Sequence, residues 1–227
     1  MKLTIPKFYY DTSFKSFKDE LTQGRPQLNL PAGYPLVKAG EYMYSSYYVH
    51  TGVLKFYIIS DNGDEKTEWF IGPGGLFPLY SPLERHYRNE RDSLLLKAQT
   101  SCKVTKIPQS EIDHLLDHDA KLAKRMLRQY ADFSSILLYD SITLATQDNT
   151  TKICNYLYQY ETLLKPHGII LTQKEIAINI GVSLLTLSRT LTRLRHQGII
   201  ATSRKMIEVL DWPNLIALCS PDLLTDE

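Results

Sequence analysis

Between residues 171 and 207 the chain sets Lys174, Arg189, Arg193, Arg195, Arg204 and Lys205 against a single acid, Glu175. That local balance of +5 stands in a protein whose formal net charge is only +1. Ammonium and guanidinium groups gathered this way pair with phosphate oxygens, and the charge is concentrated where such contacts would be needed. Hydroxyls are interleaved with the cations at Thr172, Ser183, Thr186 and Ser188. Side chains of this mix, presented from one helix, suit the polyanionic backbone and the base edges of a nucleic acid.

The elements that must hold these groups are legible in the same stretch. Thr172 caps a first helix, and Glu175 three residues later closes a capping box. Ile176, Ala177 and Ile180 give that helix an apolar face, and Gly181 stands where the chain must turn through a positive φ. Ser183 caps a second helix, with Leu187, Leu191 and Leu194 inward and Thr186, Ser188, Arg189 and Arg193 on other faces. Gly198 ends it. Ile199-Ile200-Ala201 and Met206 to Leu210 then read as two strands flanking Ser203-Arg204-Lys205. Two short helices followed by a basic hairpin make a winged helix-turn-helix, whose second helix fits a major groove.

Upstream, residues 28 to 108 break into short apolar or alternating runs between turn signals, the pattern of a barrel or sandwich. The clearest hairpin runs from Val53 to Ile59, turns at Asn62-Gly63 and returns from Lys66 to Ile71. Leu94 to Ala98 and Cys102 to Ile107 are two later strands. A long helix is expected from Asp119 to Thr146. On it Ala123, Leu127, Tyr130, Ser134, Leu137, Ser141 and Leu144 follow at intervals of 4, 3, 4, 3, 4 and 3, the spacing of a coiled-coil seam, so a second copy of the chain is the expected partner. Asp148-Asn149-Thr150-Thr151 supplies a break and a new cap, and Ile153, Leu157 and Leu164 line the next helix. The expected division is residues 1–118 as a barrel, 119–147 as the dimerisation helix and 148–227 as the winged helix.

Composition narrows the function classes. Cys102, Cys154 and Cys219 show no paired close spacing, so neither a disulfide framework nor a zinc site is indicated. No run approaches a membrane span, and the first twenty residues lack the apolar core of a signal peptide, so a cytoplasmic protein is expected. An enzyme is not expected: there is no nucleophile elbow, no metal-binding histidine spacing and no phosphate-binding glycine loop, since Gly72-Pro73-Gly74-Gly75 precedes no helix. Ten of the fifteen tyrosines lie before residue 90, which concentrates aromatic surface in the barrel.

The order of barrel, long helix, capped hinge and winged helix resembles the CRP/FNR family of bacterial transcription regulators. The likeness is carried by Leu30-Pro31-Ala32-Gly33 with Lys38-Ala39-Gly40-Glu41, Val49-His50-Thr51-Gly52-Val53-Leu54-Lys55, the Ala98 to Ile107 strand pair, and Gly181-Val182-Ser183 leading to Thr186-Leu187-Ser188-Arg189. Among its branches the chain looks most like regulators of organohalide respiration that respond to halophenols. The resemblance implies an α+β architecture: an N-terminal double-stranded β-helix, that is a cupin-like jelly-roll barrel, then the dimerisation helix and the C-terminal winged helix-turn-helix. It also implies binding to an inverted repeat in double-stranded DNA, contact with RNA polymerase and an activator's output.

Within that resemblance Arg189 matches the arginine that meets guanine O6 and N7. Ser188 and Thr186 match DNA-contacting positions, and Ser183 offers its amide to phosphate. Lys174, Arg193, Arg195, Arg204 and Lys205 are assigned to phosphate, and Thr172 is counted among the DNA-binding residues. Leu184 and Leu185 depart from the family, whose best-known members carry polar base-reading residues there. Cyclic-nucleotide-binding members hold the ribose with a Glu and the phosphate with an Arg beside a Ser or Thr. Here Leu79 stands near the first position and Asp92 beside Ser93, and an acid there repels phosphate. Iron-sulfur members need cysteines near the N-terminus, and this chain has none before Cys102. What remains is an apolar or aromatic effector, with Tyr44, Tyr47, Leu79, Tyr80, Leu95, Tyr130, Phe133 and Ser134 as walls and Arg91 at the mouth. The alternatives are a constitutive DNA-binding protein without a ligand and a cyclic-nucleotide-responsive one.

Overall fold

The structure, a computed structural model, describes residues 8–38, 41, 43–59, 62–79, 93–203 and 206–221, with Ser93 and Leu94 described by backbone alone. Tyr80, Arg91, Arg204 and Lys205 among the expected site residues, together with Ala39, Gly40 and Asp92, lie outside the described residues. The chain packs as two compact units that divide inside one helix, residues 8–133 and residues 134 onward.

The first unit is built on two sheets. Strands β1 (Tyr9–Tyr10), β6 (Glu65–Ile71), β5 (Leu54–Ile59), β8 (Ser93–Ala98) and β3 (Pro35–Val37) lie side by side in that order. The second sheet runs β2 (Gln27–Leu30), β9 (Cys102–Pro108), β4 (Ser45–Thr51), β7 (Leu76–Phe77). Non-sequential neighbours in both sheets give the crossing of a jelly roll, the architecture the family resemblance implied, where strand spacing alone pointed to a barrel or sandwich. The β5–β6 hairpin closes through Gly63 at φ +76°, where a side chain would be strained.

Alternation along the strands sorts the two faces of the first sheet. Phe56 sits opposite Trp69 on β6 and Leu96 on β8, and its ring lies 4.9 Å from Trp69 and 4.7 Å from Phe77 of the second sheet. That face is the interior. Leu95 pairs with Tyr57 and so belongs to the opposite face, beside Lys55 and Lys97. There Glu65 accepts from Lys55 Nζ at 2.9 Å and from Lys97 Nζ at 2.7 Å, and both ammoniums lie over the Tyr57 ring at 5.1 and 4.6 Å.

Burial alone would push the Glu65 carboxyl up, but the hydrogen bonds from Lys97 and Lys55 outweigh it and hold the group below its ordinary range. A carboxyl depressed in the folded state contributes stability that is complete above the unfolded pKa and is lost as pH falls through the folded one. Lys55 is 0% exposed, so Glu65→Gln strips a buried cation of an anionic partner and is expected to cost about 3 kcal/mol at pH 7, the lower end for a broken buried pair because Glu65 is itself part-exposed. Urea unfolding checks this: the variant should also lose part of the wild type's decline in stability below about pH 4.5, the ordinary carboxylate range. An unchanged midpoint would show that the cluster contributes nothing.

Helix α1 (Lys18–Thr22) precedes β2, and α2 (Gln109–His118) follows β9 without a break. The long helix α3 spans Ala120–Thr146, with Asp119 as its cap, accepting from the amides of Lys121 and Leu122 at 2.8 and 3.0 Å. Leu122, Met126, Gln129, Phe133 and Ile136 are buried along one stripe. At 100° per residue the opposite stripe carries Leu127, 70% exposed, Leu138, 65%, and Ile142, 57%. Of the expected seam, Leu127, Ser134, Leu137, Ser141 and Leu144 are exposed and Ala123 and Tyr130 half-buried. Leu138 and Ile142 were not in it.

The second unit continues through α4 (Asn149–Gln159), a π-turn at Tyr160–Leu164, α5 (Gln173–Asn179), α6 (Leu184–His196), the antiparallel pair β10 (Ile200–Ser203) and β11 (Met206–Val209), and α7 (Trp212–Ala217). Ile153, Leu157 and Leu164 are buried as their spacing predicts. No helix among the described residues is long and apolar enough to cross a membrane.

Candidate nucleic-acid interface

Two capping systems aim the helices of the second unit. At the start of α5 the Thr172 hydroxyl accepts from Glu175 N, while the Glu175 carboxylate accepts from Thr172 N and Oγ1, both at 2.8 Å. The predicted capping box is present, and it commits the Thr172 hydroxyl to that carboxylate. Ser183 Oγ accepts from Thr186 N at 3.0 Å and shares a 2.8 Å hydrogen bond with Thr186 Oγ1, which fixes where α6 begins. Between them Gly181 takes φ +67°, and a methyl there would lie 2.8 Å from Leu144 Cδ2. Leu144, read from sequence as part of the α3 seam, therefore reaches the turn of the helix pair. Asn179 Nδ2 donates to Tyr156 Oη at 2.9 Å and ties α5 to α4.

Leu187, Thr190, Leu191 and Leu194 bury the inner stripe of α6. The opposite stripe, by helical angle, holds Leu185, Arg189, Thr192 and His196, all exposed. Ser188 flanks it on one side, and Thr186 and Arg193 on the other. Arg189 thus stands at the centre of the outward face, as expected. Thr192 and His196, three and seven residues on, share it and were missed. The 3.6-residue period already placed them there, but neither belongs to the motif that drew attention to Arg189.

Arg193 and Arg195, read as phosphate contacts, also have partners inside the unit. Arg193 Nη2 donates to Thr150 Oγ1 at 2.6 Å, and Arg195 Nη1 to Thr202 Oγ1 at 3.4 Å. Lys174 is exposed near the start of α5. The wing strands pair from Ile200 with Val209 to Ser203 with Met206, so the hairpin itself matches the prediction.

In the first unit the described members of the expected effector walls come together only in part: Tyr47 stands opposite Phe77 and shares its face of the second sheet. Tyr44 and Tyr47 line a groove of about 400 Å³ with Leu36, Val37, Glu41, Met43, Ser45 and Lys106. Leu79 is buried, and Leu95 is turned to the face away from Phe56. Phe133 stacks on Trp69 at 4.5 Å and 9°, with Tyr130 edge-on to it at 6.5 Å. Ser134 is exposed and opens the other unit. The aromatic interior is instead Phe56, Trp69, Phe77 and Phe133. Tyr10 also lies edge-on to Phe133 at 4.9 Å, and Trp69 Nε1 is buried without a hydrogen-bond partner among the described residues, an uncommon and costly condition.

A cyclic nucleotide brings an anionic phosphate and ribose hydroxyls; among the described residues Leu79 and the rings of Phe56, Trp69, Phe77 and Phe133 supply neither a cation nor an acceptor, and Arg91 lies outside them. The three thiols are free. Burial pushes all of them up, Cys154 to about 11 and Cys219 to about 12, the reverse of what a thiolate ligand needs. Among the described residues no group of three or more His, Cys, Asp or Glu is placed to hold a metal ion.

Residues 151–218 match the family model of a Crp-like helix-turn-helix domain, and residues 27–119 that of a cyclic nucleotide-binding domain. The transcriptional activator protein Anr of Pseudomonas aeruginosa is 25% identical over 97% of this chain and 90% of its own length. Among solved structures, a crp/fnr-family regulator from Eubacterium rectale matches with a TM-score of 0.71 at 19% identity, covering 89% of this chain and 93% of that one. A complex of CprK with OCPA matches with a TM-score of 0.65 at 18% identity, covering 94% and 96%.

Proposed function

The chain belongs to the CRP/FNR family of transcription regulators, which are not enzymes, and from that premise we propose that it is a cytoplasmic, homodimeric activator. Its grip on an inverted-repeat operator is set by a small aromatic or apolar effector held in the barrel. The observation that carries the DNA-binding part is the outward stripe of α6, with Arg189 exposed at its centre and its inner stripe locked into the unit. Two such helices, brought one turn of the duplex apart by the exposed apolar stripe of α3, would read two half-sites. Activation follows the function named for the Anr relative, and contact with RNA polymerase follows from activation.

The effector part rests on the aromatic interior and on the unpartnered Trp69 N–H, which a ligand with one acceptor group would satisfy. Such a ligand acts only if it distinguishes two states of the dimer. A halophenol is the kind of molecule the resemblance suggests. Fluorescence anisotropy of a labelled operator, selected from random DNA with this protein, tests it against a panel of halogenated phenols. At least one is expected to change the affinity by about 5- to 150-fold, the usual range of allosteric coupling. Equal affinity with and without every member would leave the second reading, a constitutive regulator. That reading draws support from the close Trp69–Phe133 stack, which already fills part of the barrel with the protein's own rings.

A further inference from the structure

Hydrogen bonds from three directions converge on the first turns of α4. Asn155, 4% exposed, donates through Nδ2 to Tyr139 Oη at 3.3 Å and to Gln147 Oε1 at 3.2 Å, and its Oδ1 accepts from Ser220 N at 2.9 Å. Both amide hydrogens and the amide oxygen are thereby engaged, by α3, by the residue after it and by the segment after α7. Lys152 Nζ reaches Leu144 O at 3.1 Å, where a cation meets the negative end of α3. On its other side α4 holds the helix pair, through Thr150 to Arg193 of α6 and through Tyr156 to Asn179 of α5.

A leucine at 155 would fill the space as well as an amide does. What the amide adds is geometry, because a buried polar group must keep every partner or lose the free energy of each. We infer that Asn155 is a positioning residue for DNA recognition. It clamps the last turns of α3 to the helix-turn-helix, so that the body carrying α6 begins within α3 and not at Asp148 to Thr151, where the sequence suggests a pivot. The separation of the two recognition helices is then dictated by how two copies of α3 pair. This rests on the homodimer reading above.

The test measures spacing, which a merely structural residue would not govern. Operators selected from random DNA with the wild type are remade with one or two base pairs added to or removed from the spacer, and affinities are read by anisotropy. Wild type is expected to lose up to about 10²-fold on the shifted operators, because both half-sites can no longer be engaged together. Asn155→Ala is expected to bind all spacers within about threefold of one another while keeping its preference for the half-site sequence. Tyr139→Phe removes one partner of the amide, together with the hydroxyl's contacts to Thr143 and Gln147, leaves the amide in place and is expected to fall between. Should the alanine variant fail to fold, full spacing discrimination in Tyr139→Phe overturns the inference. Equal losses on all spacers with discrimination intact in Asn155→Ala overturn it too. A wild type indifferent to spacing would overturn the dimer reading itself, and is recognisable before any variant is made.

Discussion

Leu127→Glu combined with Leu138→Glu is expected to yield a monomer whose operator affinity is lower by about 10² to 10⁴. These leucines are 70% and 65% exposed, so most of each side chain faces away from the protein interior and the substitutions should leave each fold within about 0.5 kcal/mol of the wild type. In a dimer the same positions would be buried against their copies, where four carboxylates would be desolvated beside one another without cations. The loss arises because the second half-site is engaged at high effective concentration only while the two recognition helices are tethered. Analytical ultracentrifugation and anisotropy on a selected operator check both halves of the expectation. A monomer that binds the full operator as tightly as wild type would remove any need for pairing through α3.

Arg189→Ala is expected to weaken binding to the selected operator by about 1 to 3 kcal/mol, the worth of a bidentate contact to guanine, and to relax preference at one base pair in each half-site. Nearby departures from the family concentrate the effect on this residue. Leu184 and Leu185, both exposed on α6, have no side-chain hydrogen-bonding groups with which to share recognition, so on this reading Thr186, Ser188, thymine methyls and duplex shape are left to supplement Arg189. Binding to random DNA should fall much less, since one phosphate contact at most is lost. Equal losses on operator and random sequence would make Arg189 a backbone contact and shift the search for base readout to Thr192 and His196.

Local chemistry was the legible part of this chain. The Thr172–Glu175 box, the Ser183 cap, the positive φ at Gly181 and the Asp148 cap, which accepts from Thr150 N and Thr151 N, each depend on residues within a few positions, and all were read correctly. Facing was harder. Leu94, Leu95 and Leu96 form an unbroken apolar run, and a slip of one residue exchanges the two faces of a strand. Lys97 held the clue, since a strand that pairs Lys97 with Lys55 must turn Leu96 toward Phe56. The α3 seam shows a related ambiguity. Its buried stripe from Leu122 to Ile136 and its exposed stripe share the same 4, 3 spacing, and buried Gln129 made the first look less apolar than it is. Contacts such as Arg193 with Thr150, 43 residues apart, leave no local trace.

The aromatic interior has an optical consequence. The chain contains two tryptophans, and each unit holds one: Trp69 lies parallel to Phe133, and Trp212 stands edge-on to Tyr158 at 5.9 Å. Intrinsic emission is therefore already divided between the two compact units, without an introduced dye. With Trp212 replaced by phenylalanine, every photon from a tryptophan reports on the barrel interior, one ring away from the long helix.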